Sequence, residues 1–169
     1  MGFAFAVLFL WLARPSWLSL AWSSWVVFPG LWLRAYASGY VKKNTELAVS
    51  GPYAYTRNPL YLGSMLIAFG FAGAARSIWI FLALAILFAV IYAPTIRSEE
   101  EFLRRQFPEF AEYTRCVPRL FPRVTPAQFG TSEAGRFSRE LYLQHREYNA
   151  LLGAVAIYAA LALRVYFSG

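Results

Sequence analysis

Five apolar runs divide this chain: Gly2 to Ala13, Trp17 to Tyr36, Pro59 to Ala75, Ile78 to about Ile96, and Asn149 to Phe167. A helix needs about 20 apolar residues to cross a typical bilayer. There the backbone satisfies its own hydrogen bonds only as helix or closed barrel. Runs of this kind predict an all-α, integral membrane helical bundle in one domain, residues 1–169. Four runs read as spans, and the short first run reads as a fifth, tilted or partner helix closed by Arg14–Pro15–Ser16. Pro29 falls inside the second, where a kink is tolerated. Gly63, Gly70 and Gly73 in the third would permit close helix packing, and Arg76–Ser77 makes a tight turn before the fourth. Composition agrees: 59% of residues are hydrophobic and 19% aromatic, six of them tryptophan, against about 45–50% apolar in soluble domains. Trp and Tyr favour the membrane interface.

The charges say which end faces which side. The net charge is +7, with no aspartate. The basic residues sit between apolar runs rather than as a patch on a polar domain, which argues against nucleic acid and for topology and anionic lipid headgroups. With the N-terminus inside and five passes, inside segments hold Arg34, Lys42, Lys43, Arg57 and nine arginines from Arg97 to Arg146; outside remain Arg14, Arg76 and Arg164. Thirteen against three is a positive-inside bias, so both polar segments, Ala37–Asn58 and Arg97–Glu147, are expected at the cytoplasmic face. Met1 leads straight into an apolar run without a basic n-region or small-residue cleavage site, unlike a cleaved signal peptide. Cys116, the single cysteine, has no disulfide partner and no metal-ligand spacing around it, and no metal site is expected.

Two polar motifs remain. In "GPYAYTRNPLYLG", Gly51–Gly63, Asn58 is a good N-cap and Pro59 a favoured first helical residue. That accounts for both as a helix entry. It leaves Arg57, Tyr53, Tyr55 and Tyr61 clustered at the same point, where a helix N-terminus with an adjacent guanidinium also suits a carboxylate or phosphate. In "IRSEEEFLRRQF", Ile96–Phe107, Glu100 with Arg104 and Glu101 with Arg105 stand at i,i+4 in the favourable order. The segment reads as a solvated continuation of the fourth helix. Its three glutamates, near tyrosines, could equally receive a cation such as a sulfonium.

Together, "LAVSGPYAYTRNPLYLG" and, about thirty apolar residues later, "EEEFLRRQFPEFAEYTRCVPRLFPR" resemble the isoprenylcysteine carboxyl methyltransferase family, which is related to membrane phospholipid N-methyltransferases. The resemblance covers roughly Leu47 to Arg123. It implies an integral membrane enzyme using S-adenosylmethionine as cofactor. By position it implies a cofactor pocket built from Leu47, Ala48, Val49 and Ser50; Gly51, Pro52 and Tyr53; Arg57, Asn58, Pro59 and Tyr61; and Glu99 and Glu100. Arg57, Asn58 and Glu100 are the candidates for a part in catalysis. Two positions depart from the family, where histidine is frequent: here they are Asn58 and Thr45. Asn58 can exchange hydrogen bonds but cannot titrate.

A carboxylate acceptor is already ionised at neutral pH and needs no base, whereas an amine usually must lose a proton. The one histidine, His145, beside the last apolar run, reads as an interfacial side chain. Carboxyl O-methylation of a lipidic or isoprenoid-bearing, amphiphilic acceptor is therefore the leading expectation. Phospholipid amine N-methylation stands as the alternative, with Val124–Tyr148 near the lipid entrance. Other classes are an NADPH-dependent sterol-type reductase, with a similar loop but without the Glu-Glu…Val-Pro-Arg tail, and a non-catalytic scaffold. The expected partners are membrane lipids and the acceptor.

Overall fold

A computed structural model describes residues 2–41, 46–129 and 135–168. Lys42, Lys43 and Thr45 lie outside them. The described residues form helices without strands: α1 (Gly2–Leu12), α2 (Trp17–Ser38), a 3₁₀ turn (Gly51–Ala54), α3 (Pro59–Ala75), α4 (Ile78–Gln106), α5 (Phe110–Cys116), α6 (Arg139–Gln144) and α7 (Tyr148–Ser168).

The helix limits follow from local chemistry. Ser16 and Ser19 form a reciprocal capping box at the start of α2, satisfying amides that have no intrahelical partner. α3 ends at Arg76, which takes a left-handed conformation, φ 51°, and turns the chain directly into α4. α4 runs through Pro94 instead of stopping near it. Proline lacks an N–H and its ring crowds the carbonyl four residues back. A π-helical turn at Phe88–Tyr92 widens the helix just before it, so the polar segment through Gln106 continues the same rod.

α2 and α3 form the central pair. A β-carbon at Gly30 would stand 2.9 Å from the Gly63 carbonyl oxygen, and one at Gly63 2.8 Å from that of Gly30. Gly70 likewise lies against Val27. These glycines let two backbones touch, the means by which helices associate without a hydrophobic drive. Gly73 does not share that role: a β-carbon there would meet nothing within 4 Å.

Val27, Phe71, Ala74, Ala75, Ile80, Leu84, Phe88 and Leu161 make the main core. The largest apolar side chains stand outside it: Trp22, Trp25, Phe28, Trp32, Trp79, Leu152 and Phe167 are exposed. So much outward apolar surface is foreign to soluble monomers and suits lipid. Two helices, Ile78–Gln106 and Tyr148–Phe167, are long and apolar enough to cross a membrane. α3, with 17 residues, is apolar but shorter, and α1 has 11. α2 has 22 residues but is interrupted by Ser, Pro and Gly. Length and composition thus identify two spans where five are expected from the runs.

The helices nevertheless alternate in direction. At one end the Arg14 amide donates to the Ala75 carbonyl, 2.8 Å, and Arg164 Nε to the Ala13 carbonyl, 2.8 Å. At the other end Arg34 of α2 makes a two-pronged ion pair with Glu147 just before α7, 2.8 and 3.0 Å. Its Nη1 reaches the Leu60 carbonyl of α3, 3.3 Å, and the Ser64 hydroxyl. Beside this second end, Phe110, Tyr113 and Val117 form a small core against Leu47, Val49, Leu103, Phe107, Ala127 and Phe129.

Candidate active site

The loop before α3 is stitched to the segment after α5. The Tyr113 hydroxyl donates to the Tyr53 carbonyl, 2.7 Å. The Arg57 amide donates to the Pro118 carbonyl, 3.0 Å; the Arg123 amide to Tyr55, 2.9 Å; and the Ala127 amide to Ala54, 2.9 Å. The buried Thr56 hydroxyl lies 3.0 Å from the Leu120 carbonyl and 3.2 Å from that of Arg119. Such bonding occupies the loop's buried polar groups and gives it one shape.

Asn58 occupies the N-cap position of α3, but its side chain makes no capping bond. It turns the other way: Nδ2 donates to the Arg119 carbonyl, 2.9 Å, and lies 3.4 Å from Glu100 Oε1. Glu100 is the hub. Its carboxylate, 7% exposed, takes Arg119 Nε at 3.0 Å and Nη2 at 2.6 Å on Oε2. Arg57 Nε stands 3.4 Å from Oε1. Glu100 therefore does not make the i,i+4 pair with Arg104, because partners from two other segments claim it; Glu101 does pair with Arg105. Burial pushes the Arg57 guanidinium down from its ordinary value, Glu100 opposing, whereas the hydrogen bond to Glu100 pushes Arg119 up. The contrast is physical: Arg57 is nearly enclosed and loosely paired, while Arg119, half exposed, is tightly paired. Both stay charged. Arg57 Nε is a buried donor with no hydrogen-bond acceptor among the described residues.

A second carboxylate faces outward. The Tyr61 hydroxyl donates to Glu99 Oε1, 2.8 Å, at an exposed position. Most of the expected site residues thus fall into three groups. Arg57, Asn58 and Glu100 meet in one cluster, and Tyr61 meets Glu99. Leu47, Ala48, Val49, Ser50, Gly51 and Pro52 line a cavity of about 2110 Å³. Pro59 is buried at the start of α3, and Tyr53 is buried beneath the loop. Burial, with Tyr113 adjacent, raises the Tyr53 phenol, which stays neutral.

The cavity is walled on one side by the loop from Leu47 to Thr56. On the other it is walled by Trp32, Leu33, Tyr36 and Tyr40 of α2 and its C-terminal extension, with Phe129 and Arg136 along the rim. Tyr36 and Tyr40 share a hydrogen bond, 2.9 Å, and Phe137 stacks on Tyr36, centroids 6.1 Å apart. Burial, then the bond to Tyr36, pushes the Tyr40 phenol up to about 12. Gly51 has φ +59°, and a β-carbon there would lie 2.6 Å from the Tyr40 ring. Only glycine fits both demands.

Arg119, the aromatic set Tyr36–Tyr40–Phe137 and the Arg34–Glu147 pair are not among the expected site residues. Arg119 was within reach, since it is the arginine of the Val-Pro-Arg tail; the others join residues too far apart for any local spacing. His145 is elsewhere, its Nδ1 2.7 Å from the Leu141 carbonyl. Among the described residues no group of His, Cys, Asp or Glu could hold a metal.

The phospholipid methyltransferase family matches residues 2–109, well over half of the 169. The chain belongs to that family. It is the family to which the isoprenylcysteine carboxyl methyltransferases are related, as the loop and the glutamate pair lead one to expect. The cobalt-zinc-cadmium resistance protein CzcN of Cupriavidus metallidurans is 43% identical over 95 residues, 56% of this chain and 43% of that protein. The nickel-cobalt-cadmium resistance protein NccN of Alcaligenes xylosoxydans xylosoxydans is 42% identical over 95 residues, 56% and 44% of the two. The match thus spans less than half the length of either relative. No solved structure matches the chain.

The residues present fit the cofactor usual for methyltransferases. The cavity has ample room, and Gly51 brings backbone close to its wall.

Proposed function

We propose that the chain is a membrane methyltransferase using S-adenosylmethionine and acting on an amphiphilic, lipidic or isoprenoid-bearing acceptor, with carboxyl oxygen as the methylated atom. The observation that carries this reading is the cavity wall Leu47–Pro52, backed by a loop whose polar groups are tied to the Val-Pro-Arg segment and to Glu100. When bound, the cofactor supplies a methyl carbon on a positively charged sulfur. The loop and the α2 aromatics then have three tasks: to hold the acceptor oxygen in line with the carbon–sulfur bond, to exclude water, and to stay fixed while the bond breaks. Glu99 with Tyr61, outside the cavity lining, offers an exposed anionic group to a cation. Arg57, Asn58 and Glu100, with Arg119, act from behind the loop as positioning residues. Glu100 is an unsuitable proton acceptor, because Arg119 holds its carboxylate with two hydrogen bonds, with Asn58 and the Arg57 charge beside it. That favours an acceptor that arrives ionised.

The family match favours a second reading, a phospholipid amine as acceptor, with a glutamate or a water as base. Both use the same cavity. Purified protein in vesicles with total lipid extract and methyl-labelled S-adenosylmethionine separates them. A carboxyl ester releases labelled methanol in mild alkali, and an N-methyl product does not. Absence of any labelled lipid would overturn both. In this reading five helices cross, the N-terminus and the cavity face the cytoplasm, and the names of the two relatives suggest a setting in tolerance of divalent metals.

A further inference from the structure

The far end of the bundle carries a second apolar groove, of about 490 Å³, between α2 and α3. Leu18, Trp22, Val26 and Phe69 line its length, Gly73 its floor, and Arg76 its mouth. Leu18 and Trp22 are exposed, so the groove opens to the lipid side of the helices. Gly73, which has no neighbour to accommodate, leaves the open space.

The mouth is electrostatically one-sided. The last carbonyls of α3 would make this end negative, but the protein takes the last three. Gly73 accepts from the Arg76 amide, 3.1 Å; Ala74 from the Ser19 hydroxyl, 2.8 Å; and Ala75 from the Arg14 amide, 2.8 Å. The guanidiniums of Arg14 and Arg76 then have no ion pair or hydrogen bond among the described residues. The N-termini of α2 and α4 point to the same end, and α4 has no side-chain cap at Ser77, so both add positive potential. Among the described residues every glutamate lies between Glu46 and Glu147, on segments joined to the opposite end.

We propose that this groove binds an anionic phospholipid, its acyl chain along Leu18–Val26 and over Gly73, its phosphate at Arg76, with the Arg14 guanidinium adding positive charge at the same end. It is distinct from the cavity at the other end. It rests on the membrane reading of the chain but not on methyl transfer, so it is tested without S-adenosylmethionine.

The test uses the full chain in vesicles containing photoreactive phosphatidylglycerol or, separately, photoreactive phosphatidylcholine, each with the reactive group on the acyl chain. Cross-linked peptides are mapped. The expected result is labelling of 16–26 and 69–76 that is stronger with the anionic probe. Gly73→Leu puts a side chain into the groove from a position whose β-carbon would meet nothing within 4 Å, and should remove labelling from these segments with both probes. Arg76→Asn keeps a residue that tolerates the left-handed turn and should cut the anionic preference roughly fivefold, the effect of one arginine at an anionic surface. An excess of water-soluble glycerol phosphate should not compete. The proposal is overturned by equal labelling with the two probes, by labelling that survives Gly73→Leu, or by competition from glycerol phosphate. If Gly73→Leu fails to fold, unchanged preference in Arg76→Asn overturns it alone. Dimer formation in the wild type that Gly73→Leu abolishes, without a change in lipid labelling, would give the groove to a second copy instead.

Discussion

At the scale of single residues, Glu100 decides the most. A buried carboxylate with two arginines and an asparagine is costly to disturb. Removing Glu100 leaves the Arg57 guanidinium buried without its counter-ion, a kind of loss that typically costs several kcal/mol. Arg57 is the vulnerable partner, since it is 12% exposed whereas Arg119, 48% exposed, can turn to water. Arg57→Ala and Glu100→Gln are each expected to weaken S-adenosylmethionine binding tenfold or more, about 1.4 kcal/mol or above. Arg119→Ala should do the same through the loop, with a smaller loss of stability. Isothermal titration on variants that retain their helical circular dichroism reads this, and unchanged affinity in all three would confine the cluster to a structural part. The types in this cluster were legible in the sequence, but their arrangement was not. Asn58 before Pro59 reads as a cap by every local rule. Its actual partners, Arg119 and Glu100, are 61 and 42 residues away, and no local spacing reports such a distance.

Among the elements, those set by local chemistry match expectation and those set by distant contacts do not. α3 begins at Pro59 and ends at Ala75, as the Asn-Pro entry and the Arg76 turn predict. The continuation of α4 past Pro94 was foreshadowed by the polar i,i+4 pattern; the π turn that makes it possible has no evident signature. α5 and α6 are short, and α5 depends on the small core around Tyr113, so apolar runs could not announce it. The 3₁₀ turn at Gly51 is the element with the sharpest prediction. Gly51→Ala must place a side chain at φ +59° and against Tyr40. The left-handed backbone alone costs about 1–2 kcal/mol, and Tyr40 must move off Tyr36. Chemical denaturation in detergent should show that loss. Cofactor affinity should fall with it, whereas a Gly153→Ala control, with nothing within 4 Å of its β-carbon, should lose neither.

For the whole molecule, the alternation of helix ends is what the proposed five-pass arrangement rests on, beyond the two spans that hydropathy identifies. Arg14, Ala75 and Arg164 gather at one end and Arg34, Leu60 and Glu147 at the other; the three arginines counted as outside therefore share an end. In a Cys116→Ala background, cysteines placed at Ser77 and Arg136 should react with a membrane-impermeant thiol reagent from opposite sides. Labelling of both from one side would undo the five-pass reading. The route proposed for the acceptor follows from the same geometry. The large cavity begins among polar groups at Glu46 and Arg136 and reaches Trp32 and Leu33 on α2 and Leu62 on α3. Trp32 is itself exposed on the outer face of the bundle. An amphiphile can therefore keep its tail in lipid while its head enters between helices. A route through the polar mouth would strip the tail from its apolar surroundings, at about 0.8 kcal/mol for each CH₂. A series of acceptors with one headgroup and progressively shorter tails tests this. Turnover should fall steeply with each shortening, mainly through KM, because the tail binds alike in ground and transition states. Trp32→Ala should raise KM for the longest tails and leave the shortest unaffected. A bare headgroup methylated as efficiently as the lipid would remove the case for entry from the membrane.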